Sequence, residues 1–251
     1  MGAITIDAAD GIATVTLDRP PVNAVDRPTL ADIAEAFTSL ADRRDVRAAI
    51  FTAAGTRAFM GGADLNDTSP PDPVDPGRVA RHAMWAIVDC PVPVIGAVNG
   101  PAVGAGLAFA ACCDMLIAAD HATFSTPEID VGLLGASAHL SLMVGRHKAR
   151  EMFFLGERVS ADELHRLGSV RKVVPSDELM PAARDLARQL AAKSPLALRL
   201  AKESMNRTEG LPLKEAYRTE QDYTARLLTT EDSREARQAY LEKRDPVWKW
   251  R

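Results

Sequence analysis

Three cysteines in 251 residues are too few for a disulfide framework. Cys112 and Cys113 are adjacent and cannot easily bridge each other, and no cysteine or histidine pattern has metal-ligand spacing. Cys90, Cys112 and Cys113 read as small buried hydrophobes in a reducing compartment. Charge of one sign is also lacking. The formal net charge is −4, which supplies no global field for nucleic acid or an anionic membrane. No apolar run is long enough to span a bilayer. The stretch from Pro93 to Ala119 is broken by glycine, proline, Asn99 and Asp114. The opening Met-Gly-Ala-Ile-Thr-Ile-Asp lacks the basic start and apolar run of an export signal. The expectation is a soluble, cytoplasmic chain with no metal and no nucleic-acid or membrane partner.

What is present is ordinary globular composition, 47% hydrophobic and 25% charged. The length allows one large domain, or one domain with an appended helical piece. In the first half, strand and helix signals alternate. Ala3–Asp7 and Ile12–Leu17 flank Asp10-Gly11, which suits a hairpin. Thr29–Ala41 carries apolar residues at helical spacing. Arg47–Thr52, Pro93–Val98 and Met115–Ala118 read as strands, with Val79–Val88 and Leu107–Cys113 as helices. Strands separated by helices argue for parallel βαβ units. Residues 66–77 hold four prolines among Asp, Ser and Thr, the composition of a mobile loop. The second half is mostly helical. Ser160-Ala161-Asp162-Glu163 has capping-box form before a helix that stops at Gly168. Val170–Val174 is a short strand. Ser194-Pro195 opens Leu196–Met205, and Glu231–Arg244 has acid in its first turn and base in its last. The change of character near Gly135–Gly145 is the one candidate boundary, and no internal repeat stands out.

Two small-residue turns follow two of these strands. One is Phe59-Met60-Gly61-Gly62-Ala63-Asp64-Leu65. The other runs Asn99-Gly100-Pro101-Ala102-Val103-Gly104-Ala105-Gly106. Small residues let a ligand approach the main chain closely, and a turn entering a helix leaves free N–H groups. Two such groups aimed at one point make an oxyanion hole, which suits chemistry that puts charge on a thioester oxygen. Alone, either turn also reads as tight packing. No Gly-Lys-Ser/Thr follows, so a Walker A loop is excluded, and Gly104-Ala105-Gly106 does not continue as a dinucleotide fingerprint.

Several motifs together resemble one family. They are Arg19-Pro20-Pro21-Val22-Asn23-Ala24, Ala58 through Leu65, Pro91 through Gly106, Cys113-Asp114 and Phe124-Ser125-Thr126-Pro127-Glu128. Near the end come Glu231-Asp232-Ser233-Arg234-Glu235-Ala236 and Tyr240 through Arg244. In order and spacing the chain resembles the crotonase (enoyl-CoA hydratase/isomerase) family over essentially its whole length. The resemblance implies an α/β fold, a crotonase-like spiral of repeated ββα units with a helical C-terminal section. It divides the chain into a core over 1–190 and a helical trimerisation section over 191–251. It implies a homotrimer or a dimer of trimers, an acyl-CoA thioester as substrate, and no cofactor beyond the coenzyme A that the substrate carries.

By the same resemblance the oxyanion donors are the backbone N–H groups of Ala63 and Ala105. The family usually has glycine at the second of these. Ala24, Asp64 and Leu65 fall where crotonases contact coenzyme A, largely through main chain. Tyr240 and Lys243 fall where the last helix meets coenzyme A, often that of a neighbouring subunit. Lys243 on its own reads as a solvated helix-end lysine. Phe59, Met60, Met84, Trp85 and Leu133 are candidates for the acyl tunnel, though apolar residues at such spacing are more often core.

The hydratases resembled here use two carboxylates. One stands three residues after the second donor, about one helical turn, and at that position this chain has Ala108. The other falls at Glu128. A lone glutamate can move one proton between two carbons, as the family's Δ3,Δ2-enoyl-CoA isomerases are understood to act, so Glu128 with Ala108 fits isomerisation better than two-carboxylate hydration. The segment Gly132-Leu133-Leu134-Gly135 is shorter than in common hydratases. It resembles a subgroup that includes cyclohexene-carbonyl-CoA hydratases. There His139 is a candidate acid or base, with a plain helix histidine as the alternative. Asp130 reads as structural, bonded to nearby backbone. Thioester hydrolysis, decarboxylation and non-catalytic acyl-CoA binding remain as other readings.

Overall fold

The structure is a computed structural model, and it describes residues 2–251. Asp10 and Gly11 both take left-handed φ, as a two-residue hairpin turn requires. They join β1 (Ile4–Ala9) to β2 (Ile12–Leu17), paired antiparallel with Ala9 opposite Ile12. Next come α1 (Arg27–Ser39), β3 (Ala48–Ala53), α2 (Arg78–Val88) and β4 (Val94–Val98). Then follow β5 (Ala102–Val103), α3 (Ala105–Ala111), β6 (Met115–Ala119) and β7 (Thr123–Ser125). The chain continues through α4 (Ser137–Leu155), β8 (Arg158–Ser160), α5 (Ala161–Leu167), β9 (Lys172–Val174) and α6 (Leu179–Ala191). It ends in α7 (Pro195–Thr208), α8 (Leu213–Leu228) and α9 (Glu231–Glu242).

Two sheets share these strands. The larger has the order β1-β2-β3-β4-β6-β9, parallel from β2 onward, and the smaller is β5-β7-β8. Every residue of β3 and β4 is buried, which is why both read as continuous apolar runs rather than alternating ones. α6 packs against β2, β3, β4 and β6. Phe51 of β3 instead joins an aromatic cluster. Its ring centroid lies 5.4 Å from those of Phe37 and Phe59 and 6.4 Å from that of Phe109. Edge-to-face pairs of this kind add roughly 0.5–1.5 kcal/mol each beyond area burial. The cluster locks α1, α3 and the segment before the first small-residue turn to one strand. Phe59 and Met60 are fully buried in the core, whereas Trp85 and Leu133 are exposed.

The repeat that the sequence hides is visible in the strands. In each unit one strand joins the large sheet and the next short extended piece joins a second ladder. Bridges Val25↔Ala63 and Met60↔Ala102 lead into the β5–β7 and β7–β8 pairings. This is the crotonase-like spiral of ββα units, followed by a helical section.

Where the sequence changes character, over Gly135–Gly145, α4 begins at Ser137, packs on α3 and kinks at Gly145, where φ is 70° and ψ 170°. α3 begins two residues earlier than its apolar spacing suggests, at Ala105. The loop over 66–77 has no helix or strand, but aspartates tie it down. Asp67 accepts from Ser69 N and Arg27 N at 2.8 and 2.9 Å, and Asp72 from Val74 N and Asp75 N at 2.9 and 3.1 Å. Among the described residues no helix is long and apolar enough to cross a membrane.

Candidate active site

The segment from Met60 to Asp64 runs between two others. On one side Val103 N donates to Met60 O at 2.9 Å and Met60 N to Pro101 O at 3.3 Å. On the other side Gly61 N donates to Val22 O at 2.8 Å, Val25 N to Gly62 O at 2.9 Å and Asp64 N to Val25 O at 2.9 Å. Successive amides of an extended chain alternate sides. Gly62, at φ 101°, resets that alternation. The parallel bridge then uses Gly62 O and Asp64 N, so Ala63 turns its own N–H away from Val25, toward the side of the second turn. Among the described residues that N–H has no hydrogen-bond partner.

The second turn reaches the same place from the other strand. Gly104 N donates to Ser125 O at 2.8 Å, which anchors the turn to β7. Gly104 adopts φ 54° and ψ −112°, and α3 starts at the next residue. Ala105 thus holds the first helical position, where no intrahelical acceptor exists for its N–H. Among the described residues it has no partner either. The two turns touch, since a Cβ placed on Gly62 would lie 3.2 Å from the Val103 carbonyl oxygen.

Glu128 sits in a short 3-10 turn, Pro127–Val131, three residues after the Ser125 that anchors Gly104. Its carboxylate lies over the second turn: a Cβ on Gly104 would stand 2.7 Å from Oε1, and one on Gly135 would stand 3.3 Å from it. Oε2 is buried and has no partner among the described residues. Burial pushes this carboxyl above its ordinary range. Ala108 is 1% exposed, one turn along α3 from Ala105, and presents only a methyl group. His139 lies in the first turn of α4, half-buried, and burial pushes its imidazole below the ordinary value. No charged neighbour shifts either Glu128 or His139. Asp130 is exposed and makes no hydrogen bond among the described residues. It lies beside Gly156, where a Cβ would be 2.6 Å from Oδ2, so the expected bond to backbone is not formed.

The remaining site residues fall into two groups. Ala24, Ala63 and Asp64 are brought together by the Val25↔Ala63 pairing, with Leu65 next to them, 78% exposed. Tyr240 and Lys243 stand apart at the end of α9. Tyr240 is 84% exposed, and Lys243 caps the helix in the left-handed conformation. Among the described residues no hydrogen bond or ion pair joins them to the turns. Sequence reasoning gave no role to Asn23 or Thr126. Asn23, 4% exposed with φ 55°, donates to Ala58 O at 2.9 Å and Ala54 O at 3.2 Å, tying the first motif to the approach of the first turn. Its place in a Pro-Pro-x-Asn turn, where asparagine tolerates positive φ, was the available signal. Thr126 is fully buried with a hydroxyl that has no partner among the described residues, and no local pattern marks it.

Two sheets wound from ββα units, with two partnerless amides beside a half-buried carboxylate, define the crotonase class of fold. An enoyl-CoA hydratase structure from Bacillus anthracis superposes with TM-score 0.93 at 29% identity, covering 99% of this chain and 100% of that one. The chain belongs to the enoyl-CoA hydratase/isomerase family, whose model matches residues 7–251, and it is an acyl-CoA-processing enzyme of that family. One relative, from Rhodococcus jostii, is 38% identical over 98% of this chain and 96% of its own length. It is named (7aS)-7a-methyl-1,5-dioxo-2,3,5,6,7,7a-hexahydro-1H-indene-carboxyl-CoA hydrolase. Another, a carnitinyl-CoA dehydratase of Salmonella enteritidis, is 38% identical over 96% of this chain and 95% of its own.

Proposed function

We propose that the chain binds an enoyl-CoA thioester with its carbonyl oxygen between the N–H groups of Ala63 and Ala105, and that Glu128 moves a proton beside that carbonyl. The observation that carries this reading is the placement of Glu128. Its carboxylate lies against Gly104, one residue before a partnerless amide, and keeps one oxygen unbonded. In a 3-enoyl thioester, ionised Glu128 takes a proton from C2. The electron pair left at C2 delocalises through C1 onto the thioester oxygen, where the two amides hold the charge, and through the C3–C4 double bond onto C4. Protonated Glu128 then returns the same proton to C4, leaving a 2-enoyl thioester and the starting carboxylate. No second carboxylate is needed, which agrees with the methyl group of Ala108. A carboxyl with a raised pKa suits both halves of the transfer.

A water-adding reading has its own support. One relative is named a hydrolase and another a dehydratase. His139, whose cation burial disfavours, is the candidate to handle that water. Coenzyme A enters as part of the substrate, against the main chain of Ala24, Asp64 and Leu65. Tyr240 and Lys243 would meet it across a subunit contact. Exposed Met205, Leu213, Leu228 and Leu241 on the last three helices support a homotrimer or a dimer of trimers built through residues 191–251.

The test is to supply 3-hexenoyl-CoA and crotonyl-CoA in turn. Isomerisation creates conjugated-thioester absorbance from the first, hydration removes it from the second, and hydrolysis releases free thiol. The expected order of rates puts isomerisation first. Efficient hydration with slow isomerisation would overturn the single-carboxylate reading.

A further inference from the structure

We propose that Arg19 is a positioning residue for the thioester site, a reading that rests on the function proposed above. One guanidinium grips three acceptors around the first turn. Nη1 donates to Ala24 O at 2.7 Å, and Nη2 to Asp26 Oδ2 at 2.8 Å and to Asp64 Oδ2 at 2.7 Å. Each acceptor fixes something else. Asp26 caps α1 by accepting from Thr29 N at 2.9 Å, and Asp64 accepts from Asn66 N at 3.0 Å. Asp64 consequently titrates below the ordinary carboxylate range, held there by the Asn66 amide and by the Arg19 guanidinium.

The main chain between these acceptors is the chain that carries Ala63. Arg19 therefore joins the strand-like piece at 22–25 to the piece at 61–64 from outside the ladder. It also closes its own turn, because Arg19 N donates to Asn23 Oδ1 at 2.9 Å and Asn23 N to Arg19 O at 2.8 Å. A planar fork can satisfy acceptors in three directions at once, and the point charge of a lysine cannot hold that geometry. The ion pairs are partly exposed, with side chains 29%, 21% and 18% accessible for Arg19, Asp26 and Asp64. Pairs of that kind contribute little to stability. The backbone bonds from Gly61, Val25 and Asp64 remain without them, so the fold does not depend on the guanidinium. What depends on it is the placing of Ala24 O and Asp64 relative to the Ala63 amide, and small misplacements at a reacting centre are costly in rate.

The experiment uses Arg19→Lys and Arg19→Met in the full chain, with acetoacetyl-CoA as the probe. Its enolate absorbs in the near ultraviolet and grows when an oxyanion site stabilises it. Wild type is expected to bind the probe and enhance that band. Both variants should bind about tenfold more weakly with a diminished band, at an unchanged urea midpoint. With an acyl-N-acetylcysteamine thioester, which lacks the nucleotide, kcat should fall roughly tenfold and KM stay constant. Asp64→Asn should reproduce the loss and add little to Arg19→Met. Variants that bind the probe as wild type does, with the same band, overturn the assignment of Arg19 alone. A urea midpoint that falls in step with binding also overturns it, since Arg19 would then hold the fold rather than the site. A wild-type protein that binds no acyl-CoA overturns the site reading and this proposal with it.

Discussion

The carboxylate of Glu128 rests against the bare Cα of Gly104, so close that a Cβ there would stand 2.7 Å from Oε1. The same glycine adopts φ 54°, a region that side chains other than glycine's rarely enter. Gly104→Ala therefore meets two obstacles at once. The backbone strain costs about 1–3 kcal/mol, and the new methyl displaces the carboxylate from the position beside Ala105. The expected result is a modest drop in the urea midpoint together with a loss of turnover of about a hundredfold. Stability and kcat measured on the same preparation check it. A variant with lowered stability but full turnover would show that Glu128 works from elsewhere.

Glu128→Gln keeps the shape and removes the proton carrier. Turnover should fall at least about a hundredfold. Burial raises the Glu128 pKa, so in wild type the acid limb of the kcat profile should lie above the ordinary glutamate range. Stability carries the opposite sign. The folded carboxyl holds its proton more tightly than the unfolded one does. Its contribution is full below the unfolded pKa and is lost as pH rises through the folded value. The glutamine variant has no such loss, so its stability relative to wild type should increase from pH 4 toward pH 8. Urea melts across that range test the sign, and a difference that shrinks with pH would refute the buried-carboxylate account.

Lys202 Nζ stands 2.7 Å from Asp114 Oδ2 and also donates to Ile87 O and Val92 O at 3.2 and 3.3 Å. Its side chain is 6% exposed against 27% for Asp114. This bond roots α7 in the sheet, because Asp114 in turn accepts from Val94 N of β4 at 2.6 Å. Lys202→Met takes the ammonium away from two carbonyls and a carboxylate, of which Ile87 O keeps Cys90 N at 3.3 Å and Asp114 keeps Val94 N. The expected cost is roughly 2–4 kcal/mol, below the figure for a fully buried pair because Asp114 keeps some water. Equilibrium unfolding measures it, and a cost below about 1 kcal/mol would mean that water replaces the ammonium readily.

These relationships differ in how far the sequence shows them. The Asp10-Gly11 hairpin, the Ser160 and Ser194 caps and the apolar β3 and β4 runs are local, and local chemistry reveals them. The Ser160 and Ser194 side chains do accept from Glu163 N and Ala197 N, both at 3.2 Å. The two turns were legible as small-residue segments, but the mechanism that frees Ala63 was not. That amide owes its direction to strand pairing with Val25, whereas turn composition suggested a helix entry. Contacts between distant segments left no trace in spacing. Arg19 meets Asp64 across 45 positions and Lys202 meets Asp114 across 88. Read alone, each of those charges looks like a solvated one. The break at Gly145 hides for a different reason: an isolated glycine inside a helical pattern does not by itself mark a kink.

The two amides can be separated by one substitution that the fold should accept. Ala105 is the first residue of α3, where proline is favoured because the missing N–H would have no helical partner and the fixed φ suits the helix. The residue before it is Gly104, which tolerates the restriction that proline places on its neighbour. Ala105→Pro should thus remove one proposed oxyanion donor with little change in the urea midpoint. Loss of one such donor typically lowers kcat about 10²–10³-fold. The effect should fall on kcat more than on KM, since the charge it holds develops only during proton transfer. The acetoacetyl-CoA enolate band should weaken as well, which ties the loss to the oxygen rather than to the proton carrier. A folded Ala105→Pro protein with wild-type kcat and an undiminished band would place the thioester oxygen away from α3.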